Sequence, residues 1–266
     1  MQVFQQKFRR TAFTQMTITS VKASLQHFQE NRFLDLDFLP VESSVYDGDQ
    51  SLCKMDIYIH WRRLIDFMAY QEDSSEELLK AQKKRSFVPT QRNGAENKNE
   101  IHVFYDSIEP EDVREACKQS VLSNQYFMSA LIILAQRPPL IERLFVTKDY
   151  IKEGVYRIKI CKGGEWLEIT IDDYFPCEPN GGPIFSSPTS NEIWVMLLEK
   201  AYAKVHGSYF ASQNGNVAEA LRDLTGFPTS CYDFKDYHVQ HFIQSGKFWT
   251  FINHFIDQGH LLCLSR

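Results

Sequence analysis

A chain of 266 residues with 43% hydrophobic and 14% aromatic residues carries enough apolar material for one good core, or for one core and an appendage. Its net charge of −5 argues against nucleic acid as a main partner, because phosphate binding depends on clustered Lys and Arg, and the one basic cluster, Lys83-Lys84-Arg85, is three residues long. No run of about 18 apolar residues exists, so the sequence predicts no membrane span.

Met1 to Ser20, rich in Gln, Thr and basic residues with scattered Phe, lacks the apolar core of a secretion signal and reads as an arm that frays or docks onto something else. A short helix fits Val21 to Glu30. Asp47-Gly48-Asp49 begins like a calcium loop, but an EF-hand starting there needs Gly at its sixth position and a carboxylate at its twelfth, where Leu52 and Tyr58 stand. Ser74 and Glu77 form a capping box opening a helix through Leu78, Leu79 and Ala81 to Arg85, with the basic cluster favourably placed at its C-terminus. Phe87 to Glu100, with Pro89, Asn93, Gly94, Asn97 and Asn99, has little apolar content and no periodicity, and reads as a flexible linker or insertion, the best boundary between an N-terminal extension and the core.

A polar turn, Ser123-Asn124-Gln125, then feeds an apolar helix with Phe127, Ala130, Leu131 and Leu134 at i, i+3, i+4 and i+7, stopped by Arg137-Pro138-Pro139. Tyr156, Ile158 and Ile160 alternate with charged residues, Gly163-Gly164 turns, and Leu167, Ile169 and Ile171 alternate again, which predicts a hairpin with one buried face. Trp194, Leu197, Leu198 and Ala201 share one face of a helix ended by Gly207. Further helices are expected at about 216–224 and 247–258, the second with Phe248, Phe251, Ile252, Phe255 and Ile256 on one face, followed by a strand over 261–265. Six cysteines (53, 117, 161, 177, 231 and 263) include no CxxC pair and there is no Asn-x-Ser/Thr sequon, so reduced, mostly buried thiols of a cytosolic protein are expected and no zinc site.

These stretches resemble the calpain protease core. Gln119, Leu122, Tyr126, Phe127, Ala130 and Leu131 fit its nucleophile elbow, Gln-Gly-x-Leu-Gly-Asp-Cys-(Trp/Tyr)-Phe-Leu-x-Ala-Leu. Phe33 to Pro40 and Trp61-Arg62-Arg63 resemble segments upstream of that elbow. Gly154, Tyr156, Gly164, Glu165, Trp166, Asp172, Asp173 and Pro176 meet the family's hairpin signature, and Asn191 to Tyr209 is nearly identical to the family equivalent. Leu224-Thr225-Gly226 and the Phe-rich helix resemble the start of a second protease subdomain. The resemblance implies an α/β (α+β) papain-like fold: an irregular N-terminal extension and linker (1–100), a complete first subdomain (101–210) and the truncated start of a second (211–266).

A papain-like site needs a thiolate, an imidazole that activates it, a group that orients the imidazole, and oxyanion donors. By the resemblance Gln119 takes the oxyanion-hole position, but the nucleophile position falls on Gln125, whose carboxamide has no ionisable proton near neutral pH. The family's catalytic His and Asn motifs do not occur before Arg266; His260 sits in a Gly-Ser-Leu-Leu-x-Cys-Ser-like segment and His206 in a structural turn. No other cysteine stands where the sequence reveals an activating neighbour. Glu192 matches a family calcium ligand, whereas the aspartate expected nine residues before the nucleophile position falls on Ala116; only a shifted loop bringing in Glu111, Asp112 or Glu115 would replace it. No cofactor is expected, and calcium at most weakly.

The reading that follows is a catalytically inactive calpain-like protein, a structural or binding component of a larger cytoplasmic assembly of cytoskeletal or ciliary type. The alternative is a calcium-dependent cysteine endopeptidase whose missing groups come from elsewhere, and a third is a fragment of a longer chain. Protein partners are expected on Lys247 to Arg266, whose helix face needs cover, and on Met1 to Ser20.

Overall fold

The computed structural model describes residues 32–46, 58–69, 100–105, 107–118, 120, 122, 124–179, 181–189 and 191–264. The expectations for the N-terminal arm, the helices at 21–30 and 74–85, the Asp47 loop and residues 87–99 of the linker lie outside the described residues.

The expected hairpin forms. Strands β2 (Val155–Lys162) and β3 (Glu165–Asp172) pair antiparallel from Val155↔Asp172 to Lys162↔Glu165. Gly163 and Gly164 both have positive φ, 63° and 87°, which is the backbone of the two-residue turn that matches strand twist. Tyr156, Ile158, Ile160 and Ile171 are buried against the main core, while Leu167 and Ile169 are half-buried. Two helices precede the hairpin: α2 (Pro110–Cys117), opened by a reciprocal Glu109–Asp112 capping box, and α3 (Gln125–Ala135). A short α4 (Pro138–Glu142) starts at Pro138, whose missing N–H costs nothing at a helix N-terminus.

Helix α5 (Trp194–His206) ends at Gly207, whose φ of 102° supplies the left-handed cap. Its sequence predicts one apolar face, yet every residue from Trp194 to Ala203 is buried, Glu199 and Lys200 included. The helix runs through the centre of the molecule, and its two buried charges persist because each has partners.

The extension assigned to residues 1–100 is, in its described part, built into the core. Strand β1 (His60–Arg63) pairs antiparallel with β4 (Tyr174–Cys177), His60 opposite Cys177 and Arg63 opposite Tyr174. Leu64 and Phe67 of α1 (Leu64–Ala69) join the main core, and Phe38, Val45 and Tyr46 form a second cluster with Phe185 and Tyr209. A four-residue strand with a partner more than a hundred positions away leaves no local periodicity to read.

Asp172 and Asp173 hold these layers together. Buried Arg63 pairs with Asp173 and lies 4.2 Å over the Tyr174 ring. Lys200, fully buried, donates to Asp172 Oδ1 and to the Tyr174 carbonyl, both at 2.5 Å. Asp172 Oδ2 accepts the Asp35 amide at 2.8 Å, and Lys204 pairs with Asp35 at 2.7 Å. Burial pushes the Asp173 and Asp35 carboxyls up, against the opposing pull of Arg63 and Lys204.

Gly154 sits against this lattice with φ 71°, and a Cβ there would collide with the Asp173 carboxyl and the Arg63 guanidinium. Gly154→Ala is therefore expected to cost about 2–4 kcal/mol, adding left-handed strain to a clash with a buried ion pair. Urea unfolding checks this, and a loss under about 0.5 kcal/mol would show that the lattice yields freely.

Beyond the 3₁₀ turn Phe210–Ser212 come α6 (Val217–Thr225), α7 (Tyr237–Gln244) and α8 (Lys247–Asp257). Helix α7 was not expected; its signal is Asp236, whose carboxylate accepts the His238 and Val239 amides as an N-cap. Phe242 of α7 packs edge-on against Phe248 and Phe251 of α8, both ring pairs at 5.6 Å. No residue from 226 to 264 is buried. The strand expected over 261–265 is corrected in its described part: 261–264 has no strand backbone, since pairing needs a neighbouring strand and none of the described strands lies beside it.

Candidate functional site

The elbow is a sharp entry into α3. Asn124, with φ −98° and ψ 36°, precedes the helix, and its carbonyl accepts the Phe127 and Met128 amides at 2.9 and 3.2 Å. Gln125 is the first helical residue and is exposed, so its carboxamide stands at the open N-terminus of a largely buried helix. Gln119, its expected companion, lies outside the described residues.

The elbow is braced from behind. The Asn124 side chain does not cap its own helix; its Nδ2 donates to Glu199 Oε1 at 2.8 Å. Glu199 Oε2 accepts both the Ser186 amide (3.0 Å) and the Ser186 hydroxyl (2.5 Å). Tyr126 Oη donates to the Ser212 carbonyl at 2.9 Å, and the Phe127 ring stacks on Tyr202 at 4.2 Å. Tyr202 donates to Asp223, which also takes Lys162 Nζ at 2.7 Å, linking α3, α5, α6 and β2. Sequence reading missed Glu199 as the brace. Its only trace there is a carboxylate inside an apolar helix, four positions before the Ala203 that the helix also buries.

Burial pushes the Glu199 carboxyl above the usual carboxylate range, against the donors from Ser186 and Asn124. A folded pKa above the unfolded one means that its stabilising contribution is fully present below about pH 4.5 and is lost as pH rises through the raised value. Glu199→Gln removes that titration while Asn124 can turn its carboxamide to accept. The stability of the parent relative to Glu199→Gln is thus expected to fall as pH rises from about 4.5 to 8, read from urea midpoints. A difference flat in pH would refute the assignment.

Neither Cys117 nor Cys177 is poised for attack. Cys117, half-buried at the end of α2, is pushed up to about 12 by burial and then by the Glu199 charge. Burial likewise pushes Cys177 up to about 12. Cys161 is buried, whereas Cys231 and Cys263 are exposed, so the expectation of mostly buried thiols fails at those two. His206 packs on Tyr202 and His260 on Phe255, with ring centroids 4.4 and 5.0 Å apart.

A calcium site wants about six to eight oxygen ligands. Glu192 is buried with Oε1 accepting the Tyr105 amide at 2.8 Å. Ala116 is buried, offers no side-chain oxygen, and its carbonyl accepts the Ser187 amide at 2.9 Å. The three substitutes are already engaged: Glu111 with Arg114 at 2.9 Å, Glu115 with Lys118, and Asp112 with the Glu109 amide at 2.8 Å. Among the described residues no three His, Cys, Asp or Glu side chains converge as metal ligands.

Among the described residues no helix is long and apolar enough to cross a membrane. The family model described as calpain family cysteine protease matches residues 33–266. The chain is 33% identical over 91% of its length to Calpain-type cysteine protease ADL1 of Oryza sativa subsp. japonica. It is 31% identical over 91% of its length to Calpain-type cysteine protease DEK1 of Arabidopsis thaliana, and spans 10% of the length of each of these relatives. To Calpain-B of Drosophila melanogaster it is 38% identical over 45% of its length, covering 13% of that protein. An elbow helix braced by Asn124 and Glu199, a hairpin closed by Asp172 and Asp173, and a family match across residues 33–266 together place this chain in the calpain family of cysteine proteases.

Proposed function

We propose that this calpain-family chain has no endopeptidase chemistry of its own and acts as a structural or binding component of a larger cytoplasmic assembly, cytoskeletal or ciliary in setting. The observation that carries the reading is Gln125, exposed at the head of α3 where the family resemblance puts the nucleophile. The surrounding brace persists without a thiol to position, which fits a module retained for its shape. In this proposal residues 101–210 act as the first subdomain and 211–266 belong to a second. Protein partners bind 247–266, where Trp249, Ile256, Leu262 and Leu264 are exposed, with 1–20 as a second contact.

Calcium plays no part in this reading. Titration calorimetry is expected to find no site tighter than about 100 μM, the weak end of natural calcium modules. A micromolar site abolished by Glu192→Gln would revive regulation by the ion.

The rival reading, a calcium-dependent cysteine-type endopeptidase completed by groups from elsewhere, is favoured by the protease names of the relatives. A peptidase assay separates the two, with purified chain, casein, and calcium present or chelated.

A further inference from the structure

We infer that Asn214–Gly215 is a site of spontaneous deamidation, and that its isoaspartyl product loosens the loop that clamps Tyr126 beside the elbow. Both residues are exposed and lie between the 3₁₀ turn Phe210–Ser212 and α6, in neither helix nor strand. Asparagine is among the thermally labile side chains, and a glycine after it leaves the next backbone nitrogen open to ring closure. Packing is what puts glycine there. A Cβ at position 215 would enter the Tyr126 ring, so a side chain has no room. Among the described residues the Gly215 amide makes no backbone hydrogen bond, whereas at a second Asn–Gly pair the Gly181 amide donates to the Glu178 carbonyl at 3.3 Å.

The atoms balance with water as the only co-reactant. The Gly215 backbone nitrogen gives up its proton and attacks the carboxamide carbon of Asn214, forming a C–N bond. The bond from that carbon to the side-chain nitrogen breaks, and ammonia leaves with the proton, which closes a cyclic imide. Water then adds to one of the two ring carbonyls and opens the ring. Cleavage on the side-chain carbonyl returns an ordinary aspartyl link, and cleavage on the backbone carbonyl leaves an isoaspartyl link whose main chain runs through the former side chain and is one methylene longer. In all, one water enters, one ammonia leaves, and nothing is oxidised or reduced.

The span around Asn214 is pinned at both ends. The Ser212 carbonyl accepts Tyr126 Oη at 2.9 Å. Asn216 caps α6, its Oδ1 accepting the Ala218 amide at 2.7 Å and its carbonyl the Ala220 amide at 3.0 Å. An extra methylene between these pins has to displace one of them or move Gly215 off the Tyr126 ring. Tyr126 follows Gln125 in α3, so slack in this loop reaches the elbow directly. The site stands whether or not the chain has peptidase chemistry.

The test ages the full chain in warm, mildly alkaline buffer and maps its peptides by mass spectrometry, with an isoaspartyl methyltransferase to label the isoaspartyl form. Position 214 is expected to convert about five-fold faster than position 180, where a hydrogen bond holds the following glycine amide. After a quench the isoaspartyl and aspartyl peptides separate by chromatography, so hydrogen exchange is read on each form. In the isoaspartyl form the amides of 217–221, at the start of α6, are expected to exchange about five-fold faster than in the unaged chain, the effect of losing a helix cap. Asn214→Asp, which adds the charge without the methylene, keeps the parent rates, and Asn214→Gln stays unconverted. An unconverted position 214 in a sample whose Asn93–Gly94 pair has converted, conversion at 180 ahead of 214, unchanged exchange in the isoaspartyl form, or equally fast exchange in Asn214→Asp would overturn the proposal.

Discussion

Casein incubated with the purified chain stays uncut with or without millimolar calcium, and any turnover lies about 10⁶-fold below that of a calpain with its nucleophile in place. The helix N-terminus at Gln125 offers positive potential that would stabilise a thiolate, and a carboxamide has no proton to give up there. The cysteine nearest the elbow in sequence, Cys117, has its thiol pushed up to about 12, so at pH 7 about one molecule in 10⁵ carries a thiolate. It is also half-buried at the far end of another helix. Calcium-dependent cleavage that survives further purification and is lost in Gln125→Ala would sink this expectation and restore the enzymatic reading.

Removing the buried ammonium is expected to be the largest single loss of stability. Lys200→Ala leaves Asp172 buried with two backbone donors, the Asp35 and Tyr174 amides, and no cation. Breaking one partner of such a pair costs about 3–5 kcal/mol, more than the pair's own net worth, because the cost is that of the charge left behind. For a chain of this size that corresponds to a fall in thermal midpoint of about 10 °C. The empty stem also removes packing near Phe175 and Trp61, whose rings lie 5.3 and 5.9 Å from the ammonium. Adding Asp172→Asn to Lys200→Ala is expected to recover about half of the loss. A single variant within 1 kcal/mol of the parent, or a double variant worse than the single, would show that the charge is not what the site has to satisfy.

Legibility divides by range. The stop of α3 at Arg137-Pro138, the Gly163-Gly164 turn and the Gly207 cap are written in neighbouring residues, and the structure has them where the local chemistry puts them. Family membership was legible too, since the elbow and hairpin motifs are contiguous. The pairing of β1 with β4, the burial of α5 on all sides and the Arg63–Asp173 contact were not, because each depends on residues brought together from distant parts of the chain. The Phe-rich face of α8 was expected to need cover from a partner, and within the chain Phe242 of α7 and Tyr232 supply part of that cover, which no period in 237–244 announced. At the elbow, Gln125 was visible and Glu199 was not: in Leu198-Glu199-Lys200 the two charges read as the wet side of a helix that has none.

The contrast between α5, buried throughout from Trp194 to Ala203, and residues 226–264, where nothing is buried, divides the chain into regions of unequal cooperativity. Backbone amides in α7 and α8 are expected to exchange with solvent through small local openings, and those of α5 only when the molecule unfolds as a whole. The C-terminal helices can therefore reorganise against another surface without drawing on the free energy that keeps the elbow in shape.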